Sequence, residues 1–259
     1  MKMRDLLEKL YDAYNDIQKA EEDPVRFLHD FEDLNAREVV GIIASSLAFG
    51  RVSQIIASVG SVVSLLGDDP VGFVMSSSVE YLIANLDGFK HRWVSGKEVA
   101  GLLYACKKLL TKYGSFQALY ETCKHTAKDP LISFALSIRN ESFCDISALI
   151  PDASKNSPCK RLRLFLKWMV RKDNVDPGGW MVESPSNLLV PLDVHMWRVG
   201  KNLGWIKRQV PDLKAAVELT QAFKAIRPDD PLRYDFALSH VGMEGIEFEE
   251  ILSALKGCL

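Results

Sequence analysis

Lys160 and Asp193 are the two residues of this sequence whose side chains are best suited to covalent chemistry. Lys160 lies near the start of P-C-K-R-L-R-L-F-L-K-W-M-V-R-K at 158–172, and Asp193 precedes V-H-M-W-R-V-G-K-N-L-G-W at 194–205. A lysine amine is a nucleophile when burial or cationic neighbours make it less basic, and a carboxylate can accept a proton or stabilise a developing cation. The two residues therefore predict nucleophilic catalysis if the fold brings them together.

The segment that carries Lys160 is basic on one side when it is drawn as a helix. At about 100° per residue, cations fall on one side of the helical wheel and apolar residues on the other. The cations are Lys160, Arg163, Lys167 and Arg171, and the apolar residues are Leu162, Phe165, Leu166 and Met169. No acidic residue occurs at 160–172, so ion pairs within the helix do not explain these cations. The pattern indicates an outward face that binds phosphates, and a charged face in contact with solvent is the alternative.

Asp193 is placed to begin the next helix. Met196 and Val199 follow it at helical spacing, which makes Asp193 an N-cap or first-turn residue. His195 and Arg198 flank the same helix end, where backbone N–H groups and positive charge favour a phosphate. Capping alone also explains Asp193, and a polar or capping role explains His195. We expect no metal, because Asp193 and His195 have no matching cluster of ligands.

The segment P-L-D-V-H-M-W-R-V-G-K-N-L-G-W at 191–205 resembles the V-D-T-H-V-x-R-V-x-x-R-L-G-L segment of the helix-hairpin-helix DNA glycosylases. Asp193, His195 and Arg198 match the aspartate, histidine and arginine of that pattern. Lys160 resembles the lysine at the start of the preceding helix. In this superfamily the aspartate is catalytic, and in its bifunctional members the lysine is the nucleophile.

The long interval between Lys160 and Asp193 is similar to the archaeal 8-oxoguanine DNA glycosylase branch. The sequence as a whole resembles an uncharacterised bacterial family, through A-F-G-R (48–51), K-R-L (160–162), F-L-x-W-M-V-R (165–171), P-L-D (191–193) and Y-D-F-A-L (234–238). The L-P-G-x-G hairpin of the superfamily is replaced by A-S-K-N-S-P-C-K at 153–160, which contains no glycine. The Gln-Gln-Thr of the first core helix is also missing, at 39–50.

The resemblance implies a DNA repair enzyme that flips an oxidised purine, such as 8-oxoguanine, out of the duplex and excises it as a glycosylase and AP lyase. Lys160 would attack C1′ of the sugar and form a Schiff base, while Asp193 would accept a proton or stabilise the cationic sugar. The residues expected to bind phosphates are Arg163, Lys167, Arg171, His195 and Arg198. The residues expected to form the base pocket are Trp168, Trp180 and Trp197, of which Trp180 is expected to be the most exposed.

The expected partner is double-stranded DNA with a damaged base, bound by a monomer that needs no cofactor, metal or iron–sulfur cluster. Two other functions stay open. A non-catalytic DNA- or damage-binding protein on the same scaffold fits the missing hairpin glycines. A helical protein unrelated to nucleic acid would carry the basic face only as a surface in contact with solvent.

The composition is typical of a soluble globular protein, with 47% hydrophobic and 25% charged residues and a net charge of −2 over 259 residues. A net acidic chain is not expected to coat nucleic acid, although a local basic face can still bind it. Five scattered cysteines without a C-x-x-C pair predict a reduced, cytoplasmic setting without a cluster. The sequence predicts neither a signal peptide nor a membrane span.

Helical periodicity dominates the sequence and predicts an all-α fold of about ten to thirteen helices without a sheet. Following the resemblance, we expect residues 1–259 to form one domain of the helix-hairpin-helix glycosylase type, with two helical lobes and a cleft between them. Asn35 is the expected N-cap of a helix buried nearly all round, and Glu38 would complete a capping box. Further predicted helices include 3–20, Val52–Leu66, Pro70–Ser76, Leu213–Ile226 and a closing helix at 247–255.

Overall fold

The structure is a computed structural model that describes residues 3–241 and residue 253. Most of these residues lie in α-helices, which confirms the predicted all-α class. The helices are α1 (Met3–Tyr14), α2 (Leu34–Ser46), α3 (Val52–Leu66), α4 (Pro70–Ser76), α5 (Val79–Asn85), α6 (Gly96–Tyr113), α7 (Phe116–Thr126), α8 (Pro130–Asn140), α9 (Lys160–Val170), α10 (Val194–Asn202), α11 (Leu213–Ile226) and α12 (Asp235–Val241). Short 3-10 helices occur at Lys19–Glu22, Pro24–Leu28 and Pro185–Asn187. The closing helix predicted at 247–255 lies outside the described residues, apart from Ser253.

The prediction that no sheet forms is wrong in one place. β1 (Lys90–His91) pairs with β2 (Val94–Ser95) as a small antiparallel hairpin. Arg92 at its turn adopts a left-handed conformation with φ 54°. Two-residue hairpin turns usually carry Asn-Gly or Asp-Gly because those residues accept positive φ, so Arg92-Trp93 gave no signal in the sequence.

Contacts between residues divide the chain into two compact units. The first, called the inserted unit here, is Ala20–Lys155. The second, called the terminal unit, combines Met1–Lys19 with Asn156–Leu259. The inserted unit therefore carries α2 to α8 with the hairpin, and the terminal unit carries α1 and α9 to α12.

α2 supplies much of the core of the inserted unit. Val39, Val40, Ile42 and Ile43 are fully buried, which confirms the prediction of a helix that is apolar nearly all round. α3 has the predicted bounds but buries only one face, at positions spaced by three, four and seven residues. The opposite face is open to solvent, and its exposed side chains include the polar residues Ser53, Gln54, Ser61 and Ser64.

The predicted capping box at the start of α2 is also wrong. α2 begins one residue before Asn35, and Asp33 caps it by accepting a hydrogen bond from the N–H of Ala36 at 2.8 Å. The carboxylate of Glu38 is buried and accepts hydrogen bonds of 2.6 and 2.8 Å from the first two backbone N–H groups of α7. The first N–H groups of a helix have no acceptor within that helix. The Glu38 carboxylate therefore caps α7 and not the start of its own helix, α2.

α1 belongs to the terminal unit and packs against α12. Glu8 of α1 accepts hydrogen bonds from the hydroxyl of Tyr234 at 2.7 Å and from Nε of Arg233 at 3.0 Å. The guanidinium of Arg233 also lies 3.6 Å from the ring centroid of Tyr11. These contacts fix the N-terminal helix to residues that precede α12, although the whole inserted unit separates them in sequence.

α1 ends at Tyr14, six residues before the predicted end at 20. Beyond it, Oδ1 of Asp16 accepts a hydrogen bond of 2.8 Å from the N–H of Gln18. An aspartate that bonds the backbone two residues on offers the chain a turn in place of another helical turn, which explains the early stop.

Among the described residues, no single helix is both long and apolar enough to cross a bilayer. α3 and α4 meet the length and composition criteria only when they are taken as a pair, and that pair is bent by 69°.

Candidate active site

Lys160 and Asp193 are in contact in the terminal unit, as the resemblance implies. Lys160 is the first residue of α9, and Asp193 is the N-cap of α10. Oδ1 of Asp193 accepts a hydrogen bond of 2.8 Å from the N–H of Met196, and its Oδ2 lies 3.0 Å from Nζ of Lys160. Cys159, just before Lys160, has a left-handed φ of 48°, so a glycine-like turn leads into α9 although 153–160 contains no glycine.

The contact between the two side chains is partly open to solvent. The side chain of Lys160 is 36% exposed and that of Asp193 is 25% exposed. Burial raises the pKa of the Asp193 carboxyl, but the charge of Lys160 and the N–H of Met196 outweigh burial and leave the pKa below its ordinary value. Asp193 is therefore a carboxylate at neutral pH, and one of its oxygens faces the amine of Lys160.

Lys167 and Arg171, two of the predicted phosphate-binding residues, are buried. Nζ of Lys167 lies 2.9 Å from Asp176 and 3.7 Å from Asp235. The guanidinium of Arg171 is 4% exposed and pairs with three carboxylates. We call these six residues the buried ion cluster: Lys167, Arg171, Asp173, Asp176, Asp230 and Asp235. The prediction that both cations face outward is wrong, because acids from 173–176, just beyond α9, and from 230–235 cover that side of the helix.

Asp235 is a member of the buried ion cluster that the sequence analysis did not single out. Its Oδ1 is buried and has no hydrogen-bond partner, and among the described residues its one ion pair is the 3.7 Å contact with Lys167. Burial raises the pKa of Asp235 to about 6; the charges of Asp193 and Asp176 add to the rise, and the charge of Lys167 opposes it. α12, which begins at Asp235, packs against α10, whose N-cap is Asp193. The only sequence signal for Asp235 was an acid inside the apolar run Y-D-F-A-L.

The sequence pattern of a family described as "Protein of unknown function (DUF2400)" matches residues 23–244. The chain belongs to the DUF2400 family. No curated protein and no solved structure matches the chain. The DUF2400 match includes Lys160, Asp193 and Asp235 and leaves out α1. The site therefore lies within the part of the chain that defines the family.

In this DUF2400 family member, we expect Asp235→Asn to stabilise the fold at pH 8 more than at pH 5. The raised pKa means that the folded state holds the Asp235 proton more tightly than the unfolded state does. The stability from Asp235 is therefore fully present below about pH 4 and is lost as the pH rises through about 6. Because asparagine stays neutral, its advantage should grow by about 1 to 2 kcal/mol between these pH values.

Urea unfolding of both proteins at pH 5 and pH 8 measures this difference. Asp229→Asn is the matched control, since the side chain of Asp229 is 69% exposed, and its effect should be the same at both pH values. An Asp235→Asn effect that is equally large at pH 5 and pH 8 would contradict the account.

Two of the three predicted base-pocket tryptophans lie in the core of the terminal unit. Trp168 is 1% exposed and Trp180 is 3% exposed, so the prediction that Trp180 lines an open pocket is wrong. The ring of Trp180 packs edge-on against Phe165 with centroids 5.4 Å apart. Gly178, with φ 65°, lets the D-P-G-G-W segment fold back on α9, where a Cβ would lie 2.8 Å from a backbone oxygen. Trp197 is partly buried, and its Nε1 has no hydrogen-bond partner.

The remaining predicted phosphate ligands lie on α9 and α10. His195 and Arg198 are exposed on α10, close in sequence to Asp193. Arg163 is partly buried, and its Nε donates a hydrogen bond of 2.8 Å to the carbonyl oxygen of Pro158. Of the five predicted ligands, His195 and Arg198 are thus the two whose exposure suits contact with a phosphate.

Proposed function

We propose that this protein is a DNA glycosylase with AP-lyase activity, which excises an oxidised purine through a Schiff base on Lys160. The observation that carries the proposal is the 3.0 Å contact between Nζ of Lys160 and Oδ2 of Asp193. An amine and a carboxylate at that distance, each at the start of a helix, are the groups that this reaction requires. The resemblance of 191–205 to the glycosylase segment supports the same assignment.

Asp193 is suited to activate Lys160. The amine attacks only after it has lost its proton, and the Asp193 carboxylate lies within hydrogen-bond distance to accept that proton. The N–H of Met196 holds the other carboxylate oxygen, so the side chain does not have to be reoriented. A carboxylate whose pKa is lowered also stays ionised at neutral pH and can stabilise positive charge.

The reaction proceeds in two stages. The Lys160 amine forms a bond to C1′, the bond from C1′ to the base breaks, and the base leaves with the electron pair and takes up a proton. Positive charge on the sugar develops next to Asp193, which stabilises it. The sugar ring then opens to the Schiff base, loss of a proton from C2′ follows, and the 3′ phosphate is expelled. His195 and Arg198 would bind phosphates of the same strand without reading its sequence.

A non-catalytic DNA- or damage-binding protein is the second candidate function. The absence of glycine from 153–160 favours it, because the phosphate-binding hairpin of the glycosylases depends on glycine there. In that case the Lys160–Asp193 contact would serve only to join α9 to α10.

Borohydride trapping distinguishes the two candidates. The full chain is incubated with duplex DNA that contains an abasic site or 8-oxoguanine, with borohydride present to reduce a Schiff base. We expect a covalent protein–DNA adduct and, without borohydride, strand cleavage on the 3′ side of the abasic site. Binding without an adduct would favour the non-catalytic function. Absence of binding even at low salt would exclude both, since phosphate contacts are strongest there.

Asp193→Asn is expected to lower the rate of cleavage about 10²- to 10⁴-fold, the usual contribution of a general acid–base group. Asparagine caps a helix about as well as aspartate, so the free energy of unfolding should change little. Single-turnover cleavage of abasic DNA and urea unfolding measure the two quantities separately. Asp193→Ala is the contrast, because it should also lose about 1 kcal/mol of stability with the cap. An asparagine variant with the wild-type rate would exclude Asp193 from the chemistry.

A further inference from the structure

The hairpin of the inserted unit presents a tryptophan to solvent. Trp93, at the turn between β1 and β2, is 63% exposed. One face of its ring stacks on Phe49, with centroids 5.0 Å apart and planes 28° apart. Large aromatic side chains are seldom this exposed, and an exposed aromatic that is supported from behind is a common feature of binding surfaces.

The structure beneath Trp93 is well fixed. His91 is buried, and its ring nitrogens make hydrogen bonds of 2.9 Å to the hydroxyl of Ser58 and to the carbonyl oxygen of Phe49. Gly50 has φ 105°, and a Cβ there would lie 3.0 Å from the side chain of Arg92. The A-F-G-R segment at 48–51 and the hairpin therefore pack together and hold the tryptophan in one place, which lowers the entropy cost of binding.

The hairpin and the adjoining A-F-G-R segment carry three cations, which together with Trp93 are called the aromatic tip here. Arg51, Lys90 and Arg92 are all exposed, and within the described residues no carboxylate pairs with any of them. The guanidinium of Arg92 lies 5.0 Å from the ring centroid of Trp93. In a chain with a net charge of −2, a local group of cations without ion pairs suits an anionic partner.

We propose that this tip binds DNA, with Trp93 stacking on an unpaired base and Arg51, Lys90 and Arg92 binding phosphates next to that base. An aromatic platform flanked by cations is the arrangement with which proteins bind single-stranded nucleic acid, because every base offers a face for stacking. The inference rests on the proposed function in taking DNA as the partner, but it does not depend on catalysis by Lys160.

Trp93→Ala tests the proposal in the full chain. Affinity is measured by fluorescence anisotropy at low salt, with a labelled oligothymidylate and with a duplex that contains an abasic site. We expect Trp93→Ala to weaken binding about ten-fold or more and Trp93→Phe to retain most of the affinity, because phenylalanine still stacks. Tyr81→Ala is the matched control, since Tyr81 is an aromatic of the same unit that is 50% exposed. That variant should bind as the wild type does.

Salt dependence gives a second measurement of the same surface. Arg51→Ala, Lys90→Ala and Arg92→Ala should each reduce the slope of log K against log salt by about 0.7 for single-stranded DNA. Wild-type affinity in Trp93→Ala, together with an unchanged slope in the three cation variants, would overturn the proposal and would indicate a protein as the partner of this tip.

The outcomes also separate this proposal from the proposed function. If the wild type traps no adduct but Trp93→Ala binds DNA more weakly than the wild type does, the results support the DNA-binding tip and exclude the glycosylase. An adduct that forms while Trp93→Ala binds as tightly as the wild type would support the glycosylase and exclude the tip.

Discussion

Lys160→Ala is expected to lower the cleavage of abasic DNA about 10⁴-fold or more, because it removes the nucleophile itself. Nζ of Lys160 is the amine that lies 3.0 Å from Asp193. The neighbouring arginines of α9 are not substitutes, since a guanidinium stays protonated and does not form a Schiff base. Single-turnover cleavage with the variant in excess measures the chemical step without product release.

Two control variants test whether the loss of cleavage is specific to the amine of Lys160. Lys172→Ala removes an exposed lysine just beyond the end of α9 and should leave the rate unchanged. Lys160→Arg keeps a positive charge beside Asp193, and we expect it to bind DNA without cleaving it. The stability of Lys160→Ala should stay within about 1 kcal/mol of wild type, because the ion pair is partly exposed. A Lys160→Ala rate within ten-fold of the wild type would exclude Lys160 as the nucleophile.

Arg171→Ala is expected to cost about 3 to 5 kcal/mol of stability, which is typical when one partner of a buried ion pair is removed. The guanidinium of Arg171 is 4% exposed and pairs with the carboxylates of Asp173, Asp176 and Asp230. Without it, these acids keep only Lys167 as a buried cation of the cluster. Urea unfolding at pH 7 measures the loss directly.

The alternative function of Arg171 predicts a different pattern. If Arg171 bound phosphate at the surface, Arg171→Ala would change stability by less than about 0.5 kcal/mol and would reduce the salt dependence of DNA binding. Lys172→Ala, the exposed neighbour, should show that small change in stability. Arg171→Lys should fall between the alanine variant and the wild type, because a lysine keeps the charge but cannot contact three carboxylates at once.

Much of the helical framework could be predicted from local signals. α3, α4 and α11 have the predicted bounds, because proline, glycine and aspartate mark their ends. Asp69 and Pro70, for example, supply the cap and the first residue of α4. Such signals act within a few residues of one another, so a sequence read alone carries them.

The prediction that Lys160 and Asp193 lie together came from the resemblance and not from their spacing. The two residues are 33 positions apart, and no periodicity relates them. A known pattern that places an aspartate and a lysine in one site was needed to predict that they meet. The N-cap position of Asp193, in contrast, followed from the helix that begins after it.

Lys167 and Arg171 show what a helical wheel cannot decide. The wheel correctly separates the charged side of α9 from its apolar side, but it does not say whether solvent or another segment covers the charged side. Here acids from 173–176 and 230–235 cover it, so both cations are buried. Glu38 is a similar case, because its carboxylate accepts a hydrogen bond from the start of α7 and not from the start of its own helix, α2.

The most direct test of the central claim locates the borohydride-trapped DNA on the protein. The adduct formed with abasic DNA is digested with protease and nuclease, and mass spectrometry identifies the peptide and the lysine that carry the sugar remnant. We expect modification of Lys160 alone, and loss of that modification in Lys160→Arg. A sugar remnant on another lysine or on the N-terminal amine, with Lys160 unmodified, would contradict it.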